Sequence, residues 1–251
     1  MAIRLLNGSG NNILNPTWGM TDTPFLRSKL HVVNSSNRPP PRAVSTALFA
    51  QQALTRLPTY SSSSTDMFTY FGLWVSFDTA WAKPNSSEPD PISLPADDWA
   101  SPYLSSIPFE RTRHKKIGGV REQLNSNTAF LDAELVYGNN EARAAALRTF
   151  TGGRLKTTAD GGAPFDDSAT NTCGCPVQNP RGLPSSKLQF TGNERANLAM
   201  PVVALHSVFL REHNRLCAKL QLAEPSWTDE QLYQRARCGR QCGSLRDFGC
   251  G

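Results

Sequence analysis

Pro201-Val-Val-Ala-Leu-His-Ser-Val-Phe-Leu-Arg-Glu-His-Asn-Arg-Leu-Cys-Ala-Lys-Leu220 is the stretch on which the fold turns. Val202, Leu205, Phe209, Leu216 and Leu220 recur at steps of three, four and seven. On a 3.6-residue turn that spacing makes one apolar stripe, so the segment predicts a long helix packed into a core. Further on, Thr228-Asp229-Glu230-Gln231 has the spacing of a capping box and opens another helix toward Arg237. Upstream, residues 141–149 are a run of Ala, Arg and Leu that favours helix, residues 44–57 predict another, and residues 120–126 a short one. An apolar stretch over 65–81 carries Phe68, Phe71, Trp74, Val75 and Phe77. The prolines of Arg38-Pro39-Pro40-Pro41-Arg42 block helix in the irregular first 44 residues. Residues 82–117, rich in Pro and Ser, and 151–192, rich in Gly, Asp, Asn and Pro, read as loop. With no repeat and no convincing strand alternation, the class is mainly α.

Composition sets the outer bounds. A chain of 251 residues, 39% hydrophobic, can build a real core as one large domain or two small ones. A net charge of +5 is too small for its length to keep the chain disordered. The densest basic cluster, Arg111-Thr112-Arg113-His114-Lys115-Lys116, reads as a solvated loop, so no nucleic-acid partner is expected. No 18-residue apolar run is present, so no membrane span is expected. Met1 to Leu6 is too short for the apolar region of a signal peptide, which leaves a cytosolic protein or a chain beginning inside a longer precursor. The sequons at Asn7, Asn34 and Asn85 point toward secretion. The six cysteines, Cys173, Cys175, Cys217, Cys238, Cys242 and Cys250, do not have zinc-ligand spacing and leave fifteen full disulfide pairings open.

Several stretches, in order, resemble the animal haem peroxidase family, that of myeloperoxidase and peroxidasin. They are Gly10-Asn-Asn12, Asn15-Pro-Thr-Trp-Gly19, Thr23-Pro-Phe-Leu-Arg27, Arg121-Glu-Gln-Leu-Asn125, Thr128-Ala-Phe-Leu-Asp-Ala133, Val136-Tyr-Gly138, Arg195-Ala-Asn197 and Ala204-Leu-His206. The closest is Phe209-Leu-Arg-Glu-His-Asn-Arg-Leu216, which leads into Trp227 and Leu232-Tyr-Gln-Arg-Ala236. The likeness runs over roughly residues 8–237. It implies a mostly helical domain around a buried haem that uses hydrogen peroxide to oxidise halide or organic donors. Such chemistry needs a distal His to move a proton between peroxide oxygens, an Arg to stabilise developing charge and a proximal His on the iron.

Matched to that pattern, the distal helix reads Phe71-Gly-Leu-Trp-Val-Ser-Phe-Asp78. The distal His position is Phe77, which can neither accept nor donate a proton, and loss of that group costs about 10²–10⁴-fold in the chemical step. The haem-esterifying Asp position is Ser76 and the second anchor is Leu198, while Arg195 matches the distal Arg. His206 and His213, seven apart on one helix face, fall in the family's packing helix and are expected to be core histidines. The resemblance also implies a calcium loop formed by Asp78, Thr128, Phe130 through its carbonyl, Asp132, and Glu134 in a Ser position, a donor set suited to a 6–8-oxygen shell. After Ala236, Arg237-Cys-Gly-Arg-Gln-Cys-Gly is expected not to continue a core helix, so residues 1–237 are expected to form a partial, C-terminally incomplete peroxidase-like domain and 238–251 an aberrant Cys/Gly-rich tail. The expectation is a secreted peroxidase-like protein without peroxidase catalysis, with calcium as cofactor, haem left unsupported and extracellular matrix components as partners. The alternative is an active haem peroxidase represented by an incomplete chain.

Overall fold

The computed structural model describes residues 4–26, 65–94, 96, 98 and 101–241. The helix expected over 44–57, the proline run, Asn34, Cys242 and Cys250 lie outside the described residues. Helix makes up 34% and strand 15%, so the mainly helical class holds. The chain divides into two compact units, one of residues 1–21, 66–80 and 127–251, the other of residues 22–65 and 81–126.

The first unit holds the helices. α1 spans Asp66–Thr79, with Asp66 in its first turn complementing the helix dipole. Its C-terminal half buries Trp74, Phe77 and Asp78, while Met67, Phe68 and Phe71 at its start stay exposed. α2, the single turn Glu134–Tyr137, is buried throughout. α3 spans Glu141–Leu147, its first turn capped by the Asn140 side chain, which accepts from the Arg143 N–H.

α4, Met200–Ala223, is the predicted long helix, started by Pro201 in its first turn. Its buried stripe is Val202, Val203, His206, Leu210, His213 and Cys217, one position away from the stripe the apolar residues alone predict. The offset arises because both histidines and a cysteine face the core, while Leu205 and Phe209 are half-buried. α5, Asp229–Gln241, begins with the predicted capping box: the Gln231 N–H donates to Thr228 Oγ1, and Gln231 Oε1 accepts from the Thr228 N–H.

α5 also corrects the expectation that the helix stops after Ala236. It runs on through Arg237, Cys238 and Gly239, because Arg237 and Cys238 lie on its buried face and Gly239 on its exposed one. The core joins Trp74 and Phe77 of α1, Leu135, Val136 and Tyr137 of α2, Ala144 and Leu147 of α3, Val202 and Leu210 of α4, and Tyr233 of α5. Each fully buried Leu, Val or aromatic side chain contributes roughly 1.5–3 kcal/mol. Within the loop of residues 151–192 the structure closes a Cys173–Cys175 disulfide, and Cys217 and Cys238 are buried.

The second unit holds the strands and corrects two expectations. Residues 82–117 are not all loop: β2 (Pro84–Pro89) pairs with β5 (Glu110–Thr112), and β3 (Ile92–Ser93) with β4 (Ser106–Ile107). Residues 120–126 are not helical: β7 (Val120–Asn125) pairs with β6 (His114–Ile117) on one side and β1 (Thr23–Pro24) on the other, all antiparallel. The reason is the Gly118-Gly119 turn. Both residues take positive φ, 56° and 79°, the conformation of a two-residue hairpin whose twist suits the strands. The basic cluster therefore spans the end of β5, Arg113 and the start of β6; Arg113 is paired to Asp22, and Arg121 of β7 is forked onto Glu88. No helix among the described residues is long and apolar enough to cross a membrane.

Candidate functional site

The end of α1 organises the site. A helix leaves its last carbonyls without intrahelical donors, and here side chains supply them. The Phe77 carbonyl accepts from Asn127 Nδ2 at 2.5 Å, Arg195 Nη2 at 2.9 Å and Asn193 Nδ2 at 3.3 Å. Arg195 also donates through Nη1 to the Ala80 carbonyl at 3.2 Å and through Nε to Asn193 Oδ1 at 3.2 Å. Its guanidinium lies 4.6 Å from the centre of the Phe77 ring, a cation–π contact. Burial pulls the Arg195 pKa down to about 10, so the side chain remains a cation at neutral pH.

This arrangement tests the fit to a haem directly. Phe77, at the position the resemblance assigns to the distal His, is buried with the Arg195 guanidinium over its ring, and it has no atom that can carry a proton. The arginine that would stabilise developing charge is bonded to main-chain carbonyls instead. Neither haem-anchoring position has a carboxylate, for they are Ser76 and Leu198. The residues present do not fit a haem that cleaves peroxide. His213 is no candidate iron ligand either. Its Nδ1 lies 3.0 Å from the Tyr137 hydroxyl and its Nε2 2.9 Å from the Gly153 carbonyl, which occupies both ring nitrogens. His206 is likewise fully buried on α4.

On the other side of α1's last turn, the five oxygen-bearing residues of the expected calcium loop come together. Asp78 is fully buried, its Oδ2 accepting from the Ala133 N–H at 3.1 Å and its Oδ1 from the Leu135 N–H at 3.3 Å. Ala133 stands in the left-handed region at φ 60°, a turn that aims its N–H at that carboxylate. Thr128 Oγ1 donates to Asp132 Oδ2 at 2.8 Å and lies 3.3 Å from the Phe130 carbonyl. Glu134 joins the cluster, but its carboxylate is engaged. Oε2 accepts from the Thr128 N–H at 3.2 Å, and Oε1 from Asn193 at 2.9 Å and Asn139 at 3.1 Å.

Three buried acids this close oppose one another's ionisation. Burial, with repulsion from Asp132, pushes the Asp78 pKa up to about 7. Burial raises Asp132 to about 6, and Glu134 lies well above the usual carboxylate range for the same first reason. Among the described residues no group of three or more His, Cys, Asp or Glu is placed to hold a metal by itself. A calcium shell would therefore draw on the mixed set of Asp78, Asp132, the Thr128 hydroxyl and the Phe130 carbonyl, a hard-oxygen set of the kind calcium takes.

The residues that reasoning on the sequence missed are Asn193, Asn127 and Asn139, which bind the loop, α1 and Arg195 into one network, and Gly192. A Cβ at Gly192 would stand 2.0 Å from the Glu134 carbonyl oxygen and 2.5 Å from the Gly138 nitrogen, so the backbone passes where only glycine fits. The signal was local: Gly192 and Asn193 immediately precede the matched Arg195.

Comparison with known proteins bears on the same residues. The family model for animal haem peroxidase matches residues 3–239. Peroxinectin A from Dictyostelium discoideum is 32% identical over 93% of this chain, and Peroxidase skpo-1 from Caenorhabditis elegans is 33% identical over 93%. The chain spans 47% and 35% of those two relatives' own lengths. Among solved structures, Peroxidase A from Dictyostelium discoideum superposes with a TM-score of 0.77 at 28% identity, covering 94% of this chain and 50% of that one. A fatty acid alpha-dioxygenase from Oryza sativa shares the fold, with a TM-score of 0.69 at 23% identity over 95% of this chain and 36% of that one. The segments that carry Phe77, Arg195 and the Asp78–Glu134 cluster all lie within the matched region, and this chain belongs to the animal haem peroxidase family.

Proposed function

We propose that this chain is a peroxidase-family protein without peroxidase catalysis, acting as a secreted, calcium-associated component of an extracellular matrix, biomineral or cuticle. The observation that carries the reading is Phe77 under the Arg195 guanidinium: a peroxide O–O bond cannot be broken by proton transfer where the distal position has no base. The calcium part is supported by the buried oxygens of Asp78, Thr128, Phe130 and Asp132. A divalent cation there would offset the burial that now holds the two aspartates toward their neutral forms. Glu134 acts from behind, its carboxylate tying the loop to Asn193 and Asn139. Secretion is supported by the sequons at Asn7 and Asn85, both on surface segments.

Two measurements on the purified chain test the reading. Haem titration followed at the Soret band should give no stoichiometric shifted complex, and added peroxide should oxidise donors no faster than free haem does. A one-to-one complex with turnover above free haem would instead support the alternative, an active haem peroxidase represented by an incomplete chain. Calcium titration by calorimetry should show a single site that Asp132→Ala abolishes. Unchanged affinity in that variant would remove calcium from the proposal.

A further inference from the structure

The N-terminal segment, α3, α5 and the residue that follows Thr149 enclose a cleft of about 210 Å³, lined by none of the residues of the distal helix or the calcium loop. At about 30 Å³ per water it has room for roughly seven, which suits a small organic molecule and excludes an oligomer. Part of its wall is apolar, supplied by Leu6, Ala145 and Phe150. The polar part is where the structure leaves hydrogen-bonding capacity unused.

Tyr233 is 2% exposed and its hydroxyl has no hydrogen-bond partner. Tyr233 lines the cleft together with Arg237, Arg148, Glu230 and Glu141. Arg237 is 2% exposed too. Its Nη1 donates to the Arg4 carbonyl at 2.8 Å and to Gln234 Oε1 at 3.4 Å, but its Nε has no acceptor. Two buried donors left unmet on one wall are costly unless something fills them. The carboxylates on the wall do not fill them. Glu230 is taken by Arg148 and Gln234, and Glu141 is exposed at the start of α3. With Arg4, Arg148 and Arg237 against Glu141 and Glu230, the wall carries a net positive charge.

We propose that this cleft binds a small organic carboxylate. The carboxylate oxygens accept from the Tyr233 hydroxyl and Arg237 Nε, and the short apolar body lies against Leu6 and Phe150. A charged acceptor suits these donors better than a neutral one, since hydrogen bonds to an ionised group are about twice as strong.

The test is calorimetric titration of the full chain with benzoate and with its neutral isostere benzamide. Benzoate should saturate one site and bind at least tenfold tighter than benzamide. Tyr233→Phe removes a hydroxyl that has no partner in the free protein, so its unliganded Tm should equal or exceed the parent's while benzoate affinity falls tenfold or more. Ala145→Phe, from an exposed position on α3, fills the cleft and should abolish binding without disturbing the core. Equal affinity for benzoate and benzamide, parent-like binding in either variant, or no binding of benzoate at millimolar concentration would overturn the proposal.

Discussion

The buried aspartates make the stability of the calcium-free protein fall as pH rises, against the usual behaviour of carboxylates. Asp78 ionises at 3.8 when unconstrained and at about 7 in the fold, chiefly because it is buried and then because Asp132 repels it. Asp132 moves in the same sense, from 3.8 to about 6. A folded-state value above the unfolded one means the stabilisation is complete below about pH 4 and is lost as pH climbs through 6 and 7. At 1.36 kcal/mol per pKa step, the larger displacement is worth roughly 4 kcal/mol. In a chain of this length each kcal/mol moves Tm by about 2–4 °C. With a chelator present, Tm should therefore drop on the order of 10 °C between pH 4.5 and 7.5, followed by scanning fluorimetry across a buffer series. The proposed calcium would bind the ionised aspartates, so saturating calcium should cancel the drop and restore Tm at pH 7.5. Asp78→Asn has the same shape but cannot ionise, so it should flatten the calcium-free profile and remove the response to calcium. A chelated parent whose profile matches that of Asp78→Asn would refute the reasoning, because the raised ionisation of Asp78 would then carry no cost.

Gly192→Ala should destabilise by more than about 3 kcal/mol, because all three atoms its Cβ would meet within 2.8 Å are backbone and cannot rotate away; denaturant unfolding measures it. Thr228→Ala should cost about 1 kcal/mol by the same method, through loss of the capping box that starts α5. Burial pushes the Cys217 thiol up to about 12, so alkylation by iodoacetamide at pH 8 should be slow in the native protein and fast in denaturant. Rapid native labelling of Cys217, read by peptide mass mapping, would show that α4 does not seal it.

The helices were legible wherever local chemistry agreed with tertiary need. The α4 periodicity, its early proline and the Thr228–Gln231 box are signals carried within a few residues of chain, and the two helices they announce form, though the buried stripe of α4 is shifted by one position. What was not legible depended on partners far away. The buried stripe of α4 is centred on His206 and His213, and His213 is accepted in the core only because Tyr137 and Gly153 bond both its nitrogens. β7 was misread as a helix because Arg121, Glu122, Gln123 and Leu124 favour helix locally, while the Gly118-Gly119 turn and pairing with β6 and β1 decide otherwise. The persistence of α5 past Ala236 had the same origin, since a buried Arg237 looks polar in sequence and is held by the Arg4 carbonyl. At the site, the resemblance singles out Asp78, Thr128, Phe130, Asp132, Glu134 and Arg195, and the structure brings the first five together. That Glu134 is turned to Asn193, 59 positions along the chain, could come only from the fold.

If residue 77 is the distal position, as proposed, the site also explains how that position could be surrendered without loss of the fold. Asn127, Asn193 and Arg195 all converge on the carbonyl of residue 77, and Asp78 holds α2 through the N–H groups of Ala133 and Leu135. The carbonyl of residue 77 is there whatever its side chain, and the Asp78 side chain is unchanged. The side chain of residue 77 is needed only to fill buried space beneath a guanidinium, and a phenyl ring does so while adding a cation–π contact worth about 0.5–2 kcal/mol. On the proposed reading, phenylalanine at that position leaves no proton relay there, while the hydrogen bonds that hold Arg195 and the acidic loop run through other groups and do not depend on the side chain of residue 77.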